Sequence, residues 1–129
     1  MSDSLYTLGK EHILGGDIDL QNDDISVLLL SSDYVMNLAT DECRTAIPDD
    51  AIIAEARLSS KKITGGVFDA DDLTFQNVSG NPITQFVILK DADIYSQAWL
   101  ILHGSISVTP DGTQITVQWD NGDDKIFRI

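Results

Sequence analysis

Short apolar segments bounded by turn-forming residues recur along the whole chain. Residues 25–30 and 83–89 are almost continuously apolar, which is typical of strands buried on both faces of a sheet. Further strands are predicted at 52–58, 63–64, 73–78, 98–103, 105–108 and 114–119. About seven to nine short strands, spaced by roughly 8 to 15 residues, predict a mainly β fold, either a β-sandwich or a barrel-like domain.

The last fifteen residues predict a β-hairpin. Apolar and polar side chains alternate over 115–119, and the Asn-Gly dipeptide at 121–122 accepts the positive φ angles of a type I′ turn. Residues 126–129 would supply the returning strand. Residues 105–119 are expected to form a preceding strand pair, linked by a turn at 110–112.

An amphipathic α-helix is predicted at the N-terminus, over residues 3–16. Asp3 or Ser4 can cap its start, and the glycine pair at 15–16 is a usual helix end. The stripe of the helix that would face the domain contains Leu5, Leu8 and His12, widened by Tyr6 and Ile13.

The length of 129 residues predicts one domain over 1–129. Within it, residues 17–129 form the β domain, and residues 1–16 either close one end of the sheet or act as an arm that docks on a neighbour. Residues 34–48 are ambiguous. Thr40, followed by two acidic residues, resembles a helix start, so one short helix ending before Pro48 is predicted.

The charge balance excludes several classes of partner. Twenty-one acidic residues face eight basic ones, for a net charge of −13. We therefore expect no direct nucleic-acid binding, which needs a clustered basic surface, and no attraction to anionic membranes. No apolar run approaches the ~20 residues of a membrane helix, and no secretory signal is evident. Synthesis in the cytoplasm is the expected origin.

Eighteen of the acidic residues are Asp and only three are Glu, which favours turns and loops over helices. The densest cluster, Asp69 with Asp71 and Asp72, could offer oxygen ligands to Ca²⁺ or Mg²⁺. It lacks the glycine and the closing glutamate of an EF-hand loop. We favour a solvated turn whose carboxylates accept backbone N–H groups, and we give less weight still to the acidic pairs at 91–93 and 123–124.

The remaining reactive side chains do not form a recognisable catalytic pattern. His12 is expected near a helix end, where partial charge suits the dipole, and His103 at a strand end or rim. Cys43 is the only cysteine and is interpreted as a small apolar filler. Trp99 and Trp119 are expected in the core or in a subunit contact. We assign no catalytic, cofactor-binding or metal site, and we expect no enzymatic activity.

Four segments nevertheless resemble, in order and spacing, a family of small virion proteins from tailed bacteriophages. They are the Gly-Gly-ended segment 6–16, residues 25–42, the Gly-Val-Phe-Asp-Ala-Asp-Asp run that opens 66–75, and the C-terminal residues 115–129. The chain departs from the family pattern chiefly at 91–105, where a shorter loop would alter a partner contact.

This resemblance implies a structural component of a phage particle, located on the virion. The function expected first is that of a capsid decoration (cement) protein, which binds the major capsid protein on the capsid exterior as a homo-oligomer, for example a trimer. The alternative is a tail or head-tail connector subunit, such as a tail tube or adaptor protein, which assembles into rings. The resemblance implies no catalytic residue and no cofactor.

Overall fold

The computed structural model describes residues 3–119 and 126–128. One α-helix, α1 (Thr7–Leu14), lies within them, together with single 3₁₀ turns at Arg44–Ala46, Asp49–Ala51 and Tyr95–Gln97. The strands are β1 (Asp3–Leu5), β2 (Ile25–Leu30), β3 (Ile52–Arg57), β4 (Lys62–Thr64), β5 (Val67–Asp69), β6 (Leu73–Phe75), β7 (Ile83–Lys90), β8 (Leu100–Val108), β9 (Ile115–Val117) and β10 (Phe127–Arg128). The fold is mainly β, as the sequence predicts, and is consistent with a small sandwich-like domain.

A five-stranded antiparallel sheet in the order β1-β8-β7-β2-β3 forms the centre of the molecule. All six residues of β2 are buried, which explains their nearly continuous apolar sequence. β7 pairs with β2 over 25–30, and β8 flanks β7 on its other side. The edge strand β3 has partly exposed side chains along its whole length, in the burial pattern expected at a sheet edge.

Two smaller sheets complete the β structure, one in the order β10-β5-β4 and the other formed by β6 and β9. The turn between β4 and β5 consists of Gly65 and Gly66, with φ angles of 61° and 77°. Two consecutive positive φ angles define the type I′ turn, whose twist matches that of the flanking strands, and glycine adopts them without steric cost. The glycine pair therefore closes a tight β4–β5 hairpin.

Apolar side chains fill both faces of the large sheet. Alternate residues of β2 belong to different clusters, with Val27 and Leu29 in one and Leu28 and Leu30 in the other. The first cluster joins the large sheet to the two smaller ones and includes Phe68, Phe86, Trp119 and Phe127. The second contains Tyr6, Tyr34, Ile47, Val87 and Leu100, and residues 34–51 contribute to its cover.

The N-terminal segment differs from its prediction. Residues 3–5 form a strand that pairs with β8, and the helix begins only at Thr7. Tyr6 occupies the position before the helix with an extended backbone (φ −66°, ψ 139°), and its N–H donates to the carbonyl of Ile101. The expected side-chain cap at residue 3 or 4 is therefore wrong. The predicted helix end is right, because the helix stops at Leu14, before the glycine pair.

Three further predictions are wrong. The strands predicted at 98–103 and 105–108 are replaced by one continuous strand, β8, which begins at Leu100. Thr40 lies in a turn, and between residues 34 and 48 the helical geometry is limited to the 3₁₀ turn at 44–46. Strand pairing is also different from the predicted hairpins.

β9 pairs with β6 and β10 pairs with β5, so neither predicted hairpin at the C-terminal end is formed among the described strands. The predicted Asn-Gly turn at 121–122 lies outside the described residues. The partner of each of these strands is at least 40 residues away along the chain, which a local turn signal cannot indicate.

Gly9 is expected to tolerate no side chain. A Cβ atom at this position would lie 2.3 Å from the carbonyl oxygen of Leu100 and 3.2 Å from the Cα of Ile101, both in the backbone of strand β8. We expect Gly9→Ala to lower the free energy of unfolding by about 2 kcal/mol, because overpacking outweighs the better helix propensity of alanine. Chemical denaturation should show this loss, whereas Lys10→Ala, on the exposed side of α1, should change stability little. An unchanged midpoint for Gly9→Ala would contradict the close approach.

Candidate functional site

The two histidines lie in separate environments. His12 is in the last turn of α1, as predicted. His103 lies in the middle of β8 and is buried, which corrects its predicted place at a strand end or rim. Its Nε2 lies 2.7 Å from Oε1 of Gln85, and burial lowers the pKa of the imidazole. His103 is therefore a neutral, hydrogen-bonded core residue, and the structure does not bring the two histidines together.

His12 connects three segments of the chain. Its Nδ1 lies 2.7 Å from Oδ2 of Asp17, its Nε2 lies 3.0 Å from Oε1 of Glu42, and its ring stacks on Trp99 at 3.9 Å between centroids. Both ring nitrogens can donate at once only in the protonated imidazolium. Burial by itself lowers the pKa of His12, but the hydrogen bonds that its ring donates to Asp17 and Glu42, with the charges of those carboxylates, outweigh burial and raise the pKa above the ordinary value.

The histidines are expected to titrate on opposite sides of the ordinary value near 6.5, with His12 above it and His103 below it. Because the folded pKa of His12 is raised, its contribution to stability is complete below about pH 6.5 and is lost as the pH rises through the folded value. Histidine NMR titration measures the two pKa values directly. The stability difference between the wild type and His12→Gln should shrink over the same pH interval, and a pH-independent difference would contradict the bridge.

The acidic segment at 69–72 contacts a distant part of the chain. Among residues 3–119 and 126–128, no three His, Cys, Asp or Glu side chains come close enough together to hold a metal ion. Oδ1 of Asp72 instead accepts the backbone N–H of Trp119 at 3.0 Å, which ties this turn to a distant segment. Asp19 and Asp111 accept backbone N–H groups within their own turns, as the Asp-rich composition predicts. The acidic pair at 123–124 lies outside the described residues.

Cys43 and the two tryptophans each contact other side chains of the domain. Cys43 is half-buried, and its Sγ lies 3.0 Å from Oγ1 of Thr45. Trp119 is buried against Phe86, at 5.8 Å between ring centroids, so its predicted place in the core is confirmed. Trp99 is partly buried under His12.

One surface feature is an apolar cleft of about 440 Å³ where the end of α1 meets the β4–β5 hairpin. We call it the helix-end cleft. One large apolar side chain of the lining, Ile63, is 46% exposed, and Leu14, the residue after Ile13 at the end of α1, is 80% exposed. The side chains that line the cleft include Ile13, Ile18, Leu20, Ile63, Val67 and Phe127.

The second feature, which we call the arginine cleft, has a volume of about 380 Å³ and lies beside the edge strand β3. Arg44, only 9% exposed, makes a two-pronged ion pair with Glu55, with N···O distances of 2.8 and 3.3 Å. The ring of Tyr95 lies 4.3 Å from the guanidinium carbon. The cleft is lined by Ser26, Arg44, Glu55, Arg57, Asp91 and Tyr95.

Arg44 remains charged in this setting. Burial alone lowers the pKa of its guanidinium, but the hydrogen bonds and negative charge of Glu55 raise it above the ordinary value. Sequence patterns do not indicate the residues of the arginine cleft, because they come from four separate segments of the chain. One available signal was the scarcity of arginine, since an arginine in so acidic a chain is expected to be engaged by carboxylates.

No protein-family model matches the chain, and no curated protein sequence matches it. No helix among residues 3–119 and 126–128 has the length and apolar character needed to cross a membrane.

Proposed function

We propose that the protein is a non-enzymatic structural component of a tailed-phage particle, and specifically a capsid decoration protein that binds the major capsid protein lattice and stabilises the shell. The sequence resemblance suggests the particle. The helix-end cleft is the observation that supports a lattice contact, because it combines a concave apolar surface with the exposed side chain of Ile63. Contiguous exposed apolar surface of this kind usually marks an interface.

The charge of the protein limits the chemistry of that partner. The chain carries a net charge of −13, and Asp17 and Asp19 lie next to the helix-end cleft. A complementary partner surface would present an apolar projection surrounded by basic side chains. The exterior of a capsid lattice could offer such a site many times over, and the acidic surface would keep unbound copies apart.

The test is cryo-electron microscopy of purified virions combined with quantitative protein staining. We expect copies on the outer capsid in numbers that scale with the lattice. Copies confined to the neck or tail would support the ring-forming alternative below, and absence of the protein from purified particles would overturn both.

A charge introduced at the helix-end cleft should show whether particle binding uses this cleft or another part of the surface. We expect Ile63→Asp, a new charge on the lining of the cleft, to abolish binding to particles that lack the protein, because an uncompensated charge would be buried in the interface. Val35→Asp is the matched control, since Val35 is 86% exposed and does not line this cleft. Co-sedimentation with the particles measures binding. Equal binding by both variants would contradict the assignment of the contact surface.

We further propose that the bound form is a trimer placed near local threefold axes of the lattice. A decoration protein that matches the local symmetry buries equivalent contacts in each subunit. Analytical ultracentrifugation of the free protein and the particle reconstruction together test this. Monomers in both states would overturn the trimer while leaving the decoration role intact.

The alternative is a tail or head-tail connector subunit that assembles into rings, such as a tail tube or adaptor protein. Its support is the net charge of −13, because an acidic channel lining repels DNA during passage. Copy number decides between the two roles, since a ring uses a small fixed number of subunits and a lattice uses hundreds.

A further inference from the structure

The strand β4 lies at one edge of the three-stranded sheet β10-β5-β4. All of its residues, Lys62–Thr64, are exposed. On its inner side β4 pairs with β5, in the register Ile63 to Phe68 and Thr64 to Val67. The backbone groups on the outer side of such an edge can pair with a strand from another molecule.

The backbone groups of Ile63 point out of the sheet. Along an antiparallel pair, residues that exchange hydrogen bonds with their partner alternate with residues whose N–H and C=O point the other way. The carbonyl of Phe68, opposite Ile63, accepts the N–H of Ile126 at 3.1 Å and therefore points away from β4. The Ile63–Phe68 pair is thus of the second kind, and the N–H and C=O of Ile63 face the open edge. No backbone group of another described residue bonds to them there.

A residue added opposite Ile63 would lie on the side of the helix-end cleft. Phe127, Phe68 and Ile63 stand opposite one another across the three strands, and all three line the cleft. Directly opposed residues of neighbouring strands place their side chains on the same face of the sheet. An apolar side chain at the next position would therefore extend this row and cover Ile63, which is 46% exposed.

The charge beside the cleft favours a basic segment. Asp19 is exposed and lines the cleft, and the hydrogen bonds that Asn22 donates to its carboxylate lower its pKa, so the group stays charged. Residues two positions apart in a strand share a face, so a basic residue two positions from the apolar one lies on the side of Asp19. A second copy of the chain would instead bring together two molecules of net charge −13, which repel each other.

We propose that the edge of β4 binds an extended basic segment of the major capsid protein, which adds an antiparallel strand to the sheet β10-β5-β4. The central apolar residue of the segment pairs with Ile63 and covers the helix-end cleft, and an Arg or Lys two positions away approaches Asp19. The antiparallel direction is assigned because one residue of such a strand bonds to both the N–H and the C=O of Ile63. This inference rests on the proposed function, since it specifies how the same cleft contacts the lattice.

NMR of the isotope-labelled protein tests the strand pairing without particles. The probe is the acetylated and amidated peptide Thr-Arg-Thr-Val-Thr-Arg-Thr, whose Val can pair with Ile63 while both Arg side chains share its face. We expect a saturable shift of the Ile63 amide signal. N-methylation of the Val keeps the charges and removes the N–H that donates to Ile63, so it should raise the Kd about tenfold. The absence of a saturable shift at Ile63, or equal affinity of the two peptides, would overturn the pairing.

Two variants of Ile63 test the same pairing on particles that lack the protein. Both shorten the side chain, but Ile63→Pro also removes the outward N–H, whereas Ile63→Ala keeps it. Proline is tolerated on an edge strand where the N–H faces solvent, so both variants should unfold at nearly the same temperature. In co-sedimentation we expect Ile63→Pro to bind about tenfold more weakly than Ile63→Ala. Equal binding by the two variants would overturn the pairing.

Reconstruction of the decorated particle separates this inference from the proposed function. We expect a strand of the major capsid protein about 4.8 Å from β4. If the protein lies on the outer capsid without such a strand, or with a second copy of the chain on β4, the inference is wrong and the decoration role stands. If the wild type binds no particles, the proposed function is wrong, and so is the capsid protein as the source of the segment.

Discussion

Deletion of residues 2–14 is expected to abolish the cooperative unfolding transition of the domain. The deletion removes the edge strand β1, which pairs with β8 from Asp3 to Leu5, and the whole of α1. It also removes Tyr6, whose side chain is fully buried and whose hydroxyl lies 2.7 Å from that of Tyr34. Loss of the Tyr6 ring alone would cost about 3 kcal/mol or more, a large part of the 5 to 15 kcal/mol typical of small domains.

Thermal unfolding followed by circular dichroism, with calorimetry, measures the transition. Leu14→Ser is the control, because Leu14 belongs to the same helix but is 80% exposed. We expect it to change the free energy of unfolding by no more than about 0.5 kcal/mol. A truncated chain that unfolds cooperatively near the wild-type midpoint would instead make the N-terminal segment a separable arm.

The strands that the sequence predicts best are those whose signal is local. The apolar runs in β2 and β7 are buried along nearly their whole length, so composition alone identifies them. The boundary between β1 and α1 has no such signal. Tyr6 is extended because its N–H bonds to Ile101, a contact made across the sheet, while the helical spacing of its apolar neighbours suggests a longer helix.

Long-range packing also explains why the surface clefts could not be predicted from the sequence. The arginine cleft takes Ser26 from β2, Glu55 from β3, Arg44 from a 3₁₀ turn and Tyr95 from another, and no spacing rule links them. Gly9 did offer a signal, because glycine inside a predicted helix is unfavourable unless a close approach requires it. That close approach is the contact with β8.

A buried polar network in the second core cluster gives the other large expected effect. Nε2 of Gln85 donates to the backbone carbonyls of Ser31 at 2.6 Å and Tyr34 at 2.8 Å, and its Oε1 accepts from Nε2 of His103. The side chain of Gln85 is 7% exposed. One amide thus satisfies three groups from two other segments, residues 31–34 and β8, and it fixes residues 31–34 over the sheet.

Gln85→Met is expected to lower the free energy of unfolding by about 3 kcal/mol or more, because it keeps the length of the side chain but leaves two carbonyls and the His103 N–H unsatisfied. The midpoint of thermal unfolding should fall by roughly ten degrees or more. Thr84→Met is the control, on the same strand but exposed, and should remain near the wild type. If Gln85→Met matched that control, the three groups would have other partners, and the loop over this face would owe its position to apolar packing alone.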